Sequence, residues 1–249
     1  MITDSFDRSE PIVGPEAFYG PQKHLCELCL LTFSSEIYRH ILDRFPWQPL
    51  AKIGGVNGGK PLRMLEYKGM KLAFALAGVG APVAGTDVEE INWLCGAEKF
   101  ILFGSAGSLN GEKTAGKYVV PTEAYRDEGF SYHYAPAADY IRIRNAEQVA
   151  ACMEELHLPY VRGRVWTTDA FYRETRRNLE ARQADGCIAV DMELAGVQAV
   201  CDFHGFELYD FLVTGDVLDA PEYDRCGLDA ANHQTDKLYT ALELALRVR

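Results

Sequence analysis

The sequence predicts an α/β protein, one domain with a mixed, mainly parallel central sheet and helices on both faces. Three observations carry this expectation. Short apolar runs such as Phe100-Ile101-Leu102-Phe103 and Cys187-Ile188-Ala189-Val190 have the length and composition of buried strands. In the later half these runs alternate with segments of helical periodicity, the pattern of parallel strands joined by crossover helices. The 249 residues, 48% of them apolar, suffice for a sizeable core. No repeat, low-complexity tract or interdomain linker divides them.

Residues 1–24 carry Pro11, Gly14-Pro15 and Gly20-Pro21 and read as an extended arm ahead of a domain spanning 25–249. A first strand over about 25–32 leads into a helix from Ser34 or Ser35 to Phe45, capped by serine and stopped by Pro46. Gly54-Gly55 and Gly58-Gly59 mark a mobile loop. Strands over 62–67 and 71–77 pair as a hairpin across Lys68-Gly69. The helix after Pro82 places Val88, Ile91 and Leu94-Cys95 on one face and ends at Gly96. Further on, a strand over 116–120 ends at Pro121-Thr122. Asn145 caps a helix through Val149, Met153 and Leu156. A strand through Val165-Trp166-Thr167 precedes a charged helix over 174–184. A buried strand over 187–190 precedes a helix ending at His204, with Gly205 beyond it. A strand over 207–213 and one closing helix over 228–249 complete the chain.

Composition removes several classes of function. A net charge of −11 argues against a polyanionic partner, and no basic stripe of a nucleic-acid binder is present. No apolar run approaches the roughly 20 residues that span a bilayer. Residues 1–10 mix charges of both signs and lack the apolar core of a signal peptide. Seven scattered cysteines read as reduced, largely buried thiols of a cytoplasmic protein. Cys26-Glu27-Leu28-Cys29 has the spacing of a metal half-site, but no second pair exists. On a strand its sulfurs would point to opposite faces, so core packing is expected.

The stretch from Lys99 to Tyr134 organises the rest. The apolar run at 100–103 breaks into Gly104-Ser105-Ala106-Gly107-Ser108, small residues that deliver backbone N–H groups and a hydroxyl to the carboxyl edge of a sheet. In open α/β sheets that edge is where ligands bind. The strand closing on Pro121-Thr122 is followed by Arg126-Asp127-Glu128-Gly129 and Ser131-Tyr132-His133-Tyr134, a loop rich in potential ligands. Taken with Ala77-Gly78-Val79-Gly80-Ala81-Pro82, Thr168-Asp169-Ala170-Phe171-Tyr172 and Val190-Asp191-Met192-Glu193, this series resembles the uridine phosphorylase branch of the nucleoside phosphorylase and nucleosidase superfamily. The resemblance covers roughly residues 62–219.

It implies cleavage of the bond between a base and ribose, a reaction that builds positive charge on the sugar and negative charge on the leaving base. Glu193 would hold the ribose hydroxyls, with Met192 against the sugar. Asp216, in Thr214-Gly215-Asp216-Val217, would give a proton or hydrogen bond to a purine, and Phe171 would stack on the base. Arg177 matches an arginine that binds uracil, whereas Thr175 stands where that branch has a glutamine, so the choice of base stays open. For phosphate, the resemblance expects arginines where this chain has Leu102 and Ile37. Gly104, Ser105, Ala106 and Gly107 would then form the anion cradle, with Arg39, Lys60, Arg63 or Arg126 replacing the arginines. The expected activity is phosphorolysis, with phosphate as co-substrate and neither metal nor organic cofactor. Hydrolysis with Glu36 as base, and nucleoside binding without turnover, are the alternatives. The resemblance also implies a homo-oligomer built from dimers.

Overall fold

A computed structural model describes residues 1–56 and 58–249. The arm carries a 3-10 turn at Ile2–Asp4 and a short helix α1 (Glu16–Tyr19). The elements that follow are β1 (Leu28–Thr32), α2 (Ser35–Arg44), β2 (Trp47–Ile53), β3 (Lys60–Tyr67), β4 (Met70–Leu76) and α3 (Ala81–Cys95). The middle of the chain gives β5 (Lys99–Ser108), α4 (Gly111–Thr114), β6 (Tyr118–Asp127), β7 (Tyr140–Arg142), α5 (Ala146–Glu155) and β8 (Tyr160–Thr168). It closes with α6 (Arg176–Ala184), β9 (Cys187–Asp191), α7 (Leu194–His204), β10 (Glu207–Val217), α8 (Leu228–His233) and α9 (Asp236–Val248).

The strands form one mixed sheet in the order β10-β6-β8-β9-β5-β1-β4-β3-β2, with β7 on the free side of β6. Because β10 pairs with β5 as well as with β6, the strands β5, β10, β6, β8 and β9 close into a ring. From that ring β1, β4, β3 and β2 continue as an open wing. The wing is mixed: β1 is parallel to both β4 and β5, while β3 runs antiparallel to β2 and β4. Two apolar layers hold the helices on. One lies under α3 and α7, and the other joins α2, α5 and α9 to the opposite face.

Local chemistry explains most boundaries. The Ser34 hydroxyl accepts the Ile37 N–H at 3.1 Å and caps α2, which buries Ile37, Tyr38 and Ile41. Pro82 sits in the first turn of α3, where a missing N–H costs nothing, and Gly96 ends that helix with φ of 83°. Thr175 caps α6 by accepting the Asn178 N–H. Asn145 precedes α5 as expected, but its amide reaches the Leu208 carbonyl instead of capping.

Several expectations need correction. Gly104–Ser108 is not a turn: β5 runs straight through it to Ser108. Strand β6 likewise passes Pro121 with a register shift and includes Arg126 and Asp127. Strand β10 extends to Val217, with an irregularity between Thr214 and Val217. The closing helix is broken between His233 and Asp236 into α8 and α9. Strands β2 and β7 lack a clear alternating signature, and β2 carries Pro49. In the glycine-rich loop between β2 and β3, Asn57 lies outside the described residues. Cys26 precedes β1 and lies close enough to Cys95 to shift its ionisation, and Cys29 responds to Cys26 as well. The three thiols therefore gather on one side of the sheet, and not on opposite faces.

The contact between α3 and α7 is tight enough to test. A Cβ on Gly196 would lie 2.6 Å from Ala81 Cβ and 3.2 Å from the Phe130 ring. Alanine in a helix gains about 1 kcal/mol over glycine, whereas overpacking against fixed backbone costs about 1–3 kcal/mol. We expect Gly196→Ala to lower the urea midpoint with an unchanged slope. A midpoint equal to or above that of the native chain would refute the close crossing.

Candidate active site

Strand β5 changes partners halfway along. Its pairing with β1 ends at Thr32 opposite Phe103, and its pairing with β9 starts only at Gly107 opposite Val190. Between these points residues 104–106 have β10 on one edge and no strand on the other. A cavity of about 300 Å³ opens there, floored by Gly104, Ser105, Ala106 and Gly107. The floor leaves no room for a side chain at 107: a Cβ on Gly107 would meet Leu218 at 2.7 Å and Val190 at 2.9 Å.

One corner of the cavity is acidic. Asp191, the last residue of β9, accepts the N–H groups of Glu193 (3.1 Å) and Leu194 (2.7 Å) and so fixes the turn that leads into α7. Its other oxygen accepts the Thr167 hydroxyl at 2.7 Å. This turn brings Met192 and Glu193 to the cavity. Glu193 is buried, and its Oε1 accepts the Gly80 N–H at 2.6 Å. Gly80 supplies that N–H at the start of α3 with φ of 97°, a conformation that favours glycine. Burial, and then the neighbouring Asp191, pushes the Glu193 carboxyl well above the usual range. An acidic residue placed only to favour a helix start would be worth a few tenths of a kcal/mol on the surface and would not be buried. A third carboxyl, Asp210 on β10, is fully buried and likewise pushed up by burial, Asp191 and Glu193.

A second corner is aromatic and rich in acceptors. Phe171 presents a partly exposed ring beside Asp216 and Glu174. Asp216 is buried at the end of β10, where its Oδ2 accepts the Tyr223 hydroxyl at 3.0 Å. Glu174 receives no hydrogen bond on its carboxyl among the described residues. Burial, then the charge of Asp216, pushes it up to about 7.

The third corner is built by the break between α8 and α9, with Ser34 and Ser105. The Ser34 hydroxyl lies 2.8 Å from His233 Nδ1, and the Ser105 hydroxyl donates to the Asn232 side chain. Lys237 also lines the cavity and is almost completely buried. Its ammonium donates to the carbonyls of Ala231 and Asn232, and burial alone lowers it to about 8.

The structure thus brings Gly104, Ser105, Ala106, Gly107, Phe171, Met192, Glu193 and Asp216 around one cavity. It places Arg126 and Arg177 elsewhere. Arg126 is buried under Tyr132 and spends its guanidinium on Ser131 and on the carbonyls of Ala135 and Pro136. Its role is to hold the loop after β6, whose Glu128 accepts the N–H groups of Phe130 and Ser131. Arg177 is exposed in the first turn of α6 and does not line the cavity. The other expected substitutes are also engaged elsewhere: Arg39 with the Ser35 carbonyl, Lys60 with Asp87, and Arg63 between Tyr38 and Trp47. Leu102 and Ile37 are plain core residues. Glu36 is exposed beside the cavity, 4.0 Å from His233 Nδ1. Sequence reasoning missed Glu174, Asn232, His233 and Lys237; a polar residue at every third or fourth place near 230 was the only signal, and it reads as a solvated helix face.

Comparison with known proteins identifies the family. The family model described as the Phosphorylase superfamily matches residues 27–242. Guanosine phosphorylase of Halorubrum lacusprofundi is 30% identical over 191 residues, covering 74% of this chain and 76% of that protein. A DeoD-type purine nucleoside phosphorylase of Exiguobacterium sibiricum is 26% identical over 191 residues, covering 73% and 78%. Among solved structures, AMP nucleosidase from Bacteroides thetaiotaomicron superposes with a TM-score of 0.71 at 18% identity, covering 90% of this chain and 89% of that one. A futalosine hydrolase mutant of Helicobacter pylori gives 0.70 at 17% identity, covering 88% and 99%. The solved structures share the fold, and the match across almost the whole described domain settles the family: this chain belongs to the phosphorylase superfamily of nucleoside phosphorylases and nucleosidases.

Proposed function

We propose that the protein is a purine nucleoside phosphorylase with a preference for guanosine, using inorganic phosphate to release free base and pentose 1-phosphate. The observation that carries this reading is Glu174, a half-buried acceptor beside Phe171 and Asp216 that receives no donor from the described residues. Guanine turns two parallel N–H groups, N1–H and one from its amino group, towards a single side, matching the two oxygens of a carboxylate. Hypoxanthine offers only the N1–H there. Adenine presents a lone pair at N1, which a carboxylate repels. Uracil recognition has weaker support, because Arg177 lies off the cavity and Thr175 is occupied in capping α6. The names of the phosphorylase relatives point the same way.

In this reading Glu193 accepts the ribose hydroxyls on its free oxygen while Gly80 fixes the other. Met192 packs on the sugar and Phe171 on the base. Phosphate enters from the side of Ser34 and Ser105, near the amino end of α2, where helix N–H groups favour an anion. A phosphate oxygen bonds to the anomeric carbon as the carbon–nitrogen bond breaks. The bonding pair leaves with the purine, whose imidazole ring takes up a proton relayed from solvent through the Asp216 carboxylate. Glu193 stabilises the sugar most as positive charge develops on it. Phosphate is the co-substrate, and neither metal nor organic cofactor enters. The exposed Ile12, Val13 and Phe18 of the arm support a homo-oligomer that covers them, and the seven free thiols support a cytoplasmic enzyme.

Hydrolysis is the second reading, favoured by Glu36 and His233 lying 4.0 Å apart at the anion corner. Chromatography of a nucleoside panel with and without phosphate separates the two. Phosphorolysis requires base release that depends on phosphate, with guanosine the best substrate. Equal release without phosphate, abolished by Glu36→Gln, would establish hydrolysis.

Two substitutions test the roles. Glu193→Gln should lower kcat/KM by roughly a hundredfold or more. The native Glu193 carboxyl is raised above its ordinary value of 4.5, so it stabilises the fold fully below that pH and loses the contribution as pH rises through its native value. The Gln variant should therefore be at least as stable as the native chain at neutral pH, and its stability should fall less between pH 5 and 8. Near-native turnover would remove Glu193 from the mechanism. Glu174→Gln should reduce kcat/KM for guanosine about a hundredfold and for inosine about tenfold, leaving purine riboside within about threefold. A uniform loss over all three would reduce Glu174 to a structural part.

A further inference from the structure

Lys237 poses a problem that the fold does not solve by itself. It is only 1% exposed, yet no carboxylate lies within salt-bridge distance of its ammonium among the described residues. Buried cations are normally paired, because removing a charge from water costs several kcal/mol even after relaxation. The carbonyls of Ala231 and Asn232, at the end of α8, take two of its three N–H groups. A lysine that only capped α8 would serve equally well with its head in water, as lysines at helix ends commonly do. Here the residue instead lines the cavity, its ammonium on the carbonyl of Asn232, whose side chain meets the Ser105 hydroxyl.

We propose that Lys237 is the phosphate-binding cation of this protein, taking the place of the arginines that Leu102 and Ile37 exclude. The proposal rests on the phosphorolytic reading above and names the group that would hold its co-substrate. The α8–α9 break brings this cation in from the opposite end of the chain. Asn232 orients the Ser105 hydroxyl, His233 meets the Ser34 hydroxyl, and the ammonium closes the cradle. A single point charge replaces planar forks, so phosphate binds in the millimolar range, weakly beside a bidentate arginine site. The other charged and titratable groups facing this corner are His233 on α8, Glu36 on α2, 4.0 Å from its Nδ1, and Asp229, 3.8 Å from its Nε2.

The pH dependence has a definite sign. Free Lys237 loses its proton above about pH 8, while bound phosphate favours the charged form. Phosphate affinity should therefore fall as pH rises past 8, by up to tenfold per unit, with little change in nucleoside KM. Lys237→Met, which keeps the stem and removes the charge, should raise the phosphate KM at least tenfold and change the nucleoside KM less than threefold. A lysine that serves only as a structural cap would alter stability and leave the ratio of the two KM values unchanged. Thermal shift titrations with inorganic phosphate, against chloride at equal ionic strength, read binding without turnover. Stabilisation of the native protein that disappears in Lys237→Met supports the site even if no nucleoside is phosphorolysed, which would defeat the functional reading alone. Should the variant not fold, the wild-type pH profile decides. A phosphate KM that stays flat from pH 7 to 9.5, or a folded Lys237→Met with native phosphate affinity, overturns the proposal.

Discussion

The structure depends on one strand changing its neighbour. Strand β5 is held on one edge by β10 through most of its length, while the other edge passes from β1 to β9 with a gap at residues 104–106. A sheet that loses a partner leaves backbone polar groups and space uncovered, and evolution can fill either with ligand. The closure of β5, β10, β6, β8 and β9 into a ring prevents the gap from collapsing, since each wall is held on both sides. The floor must then be glycine at 107, because Val190 and Leu218 already occupy the volume that a Cβ there would need.

Charge is distributed around that gap in a way that costs stability and suits a reaction. Glu193 and Asp191 are buried together, Asp210 is buried near them, and Glu174 shares the far corner with Asp216. Burial pushes up the carboxyls of Glu193, Asp191, Asp210 and Glu174, and each would be better solvated on the surface. Lys237 is the mirror case at the third corner. A protein retains such groups where a bound molecule supplies the missing partner. Hydroxyls at the acidic corner, N–H groups at the acceptor corner and an anion at the cationic corner are the partners that the proposed nucleoside and phosphate would supply.

Much of this was legible in the chain, and the remainder was hidden for identifiable reasons. The strand at 187–191 and the helix after it follow from composition and from the glycine at 205, so Met192 and Glu193 could be placed at a sheet edge. Asp191 could have been read as a turn former from its place between strand and helix, since aspartate side chains bond backbone N–H groups two and three residues on. Arg126 misled because an arginine in a polar stretch looks available, whereas its guanidinium is consumed by carbonyls of its own loop. The continuation of β5 through two glycines overrode local propensity, because pairing with β10 outweighs the preference of glycine for turns. The α8–α9 break carries no proline or glycine, only Gln234-Thr235, so the residues it brings into the cavity were out of reach.

The central claim is that an anion held at the edge of this gap attacks the sugar held by Glu193. The most direct measurement follows oxygen. Guanosine is incubated with the protein and phosphate carrying 18O at all four positions, and the sugar product is weighed by mass spectrometry. The account predicts pentose 1-phosphate retaining all four labels, the bridging oxygen included. Unlabelled free pentose as the first product, with the phosphate pool unchanged, would contradict it.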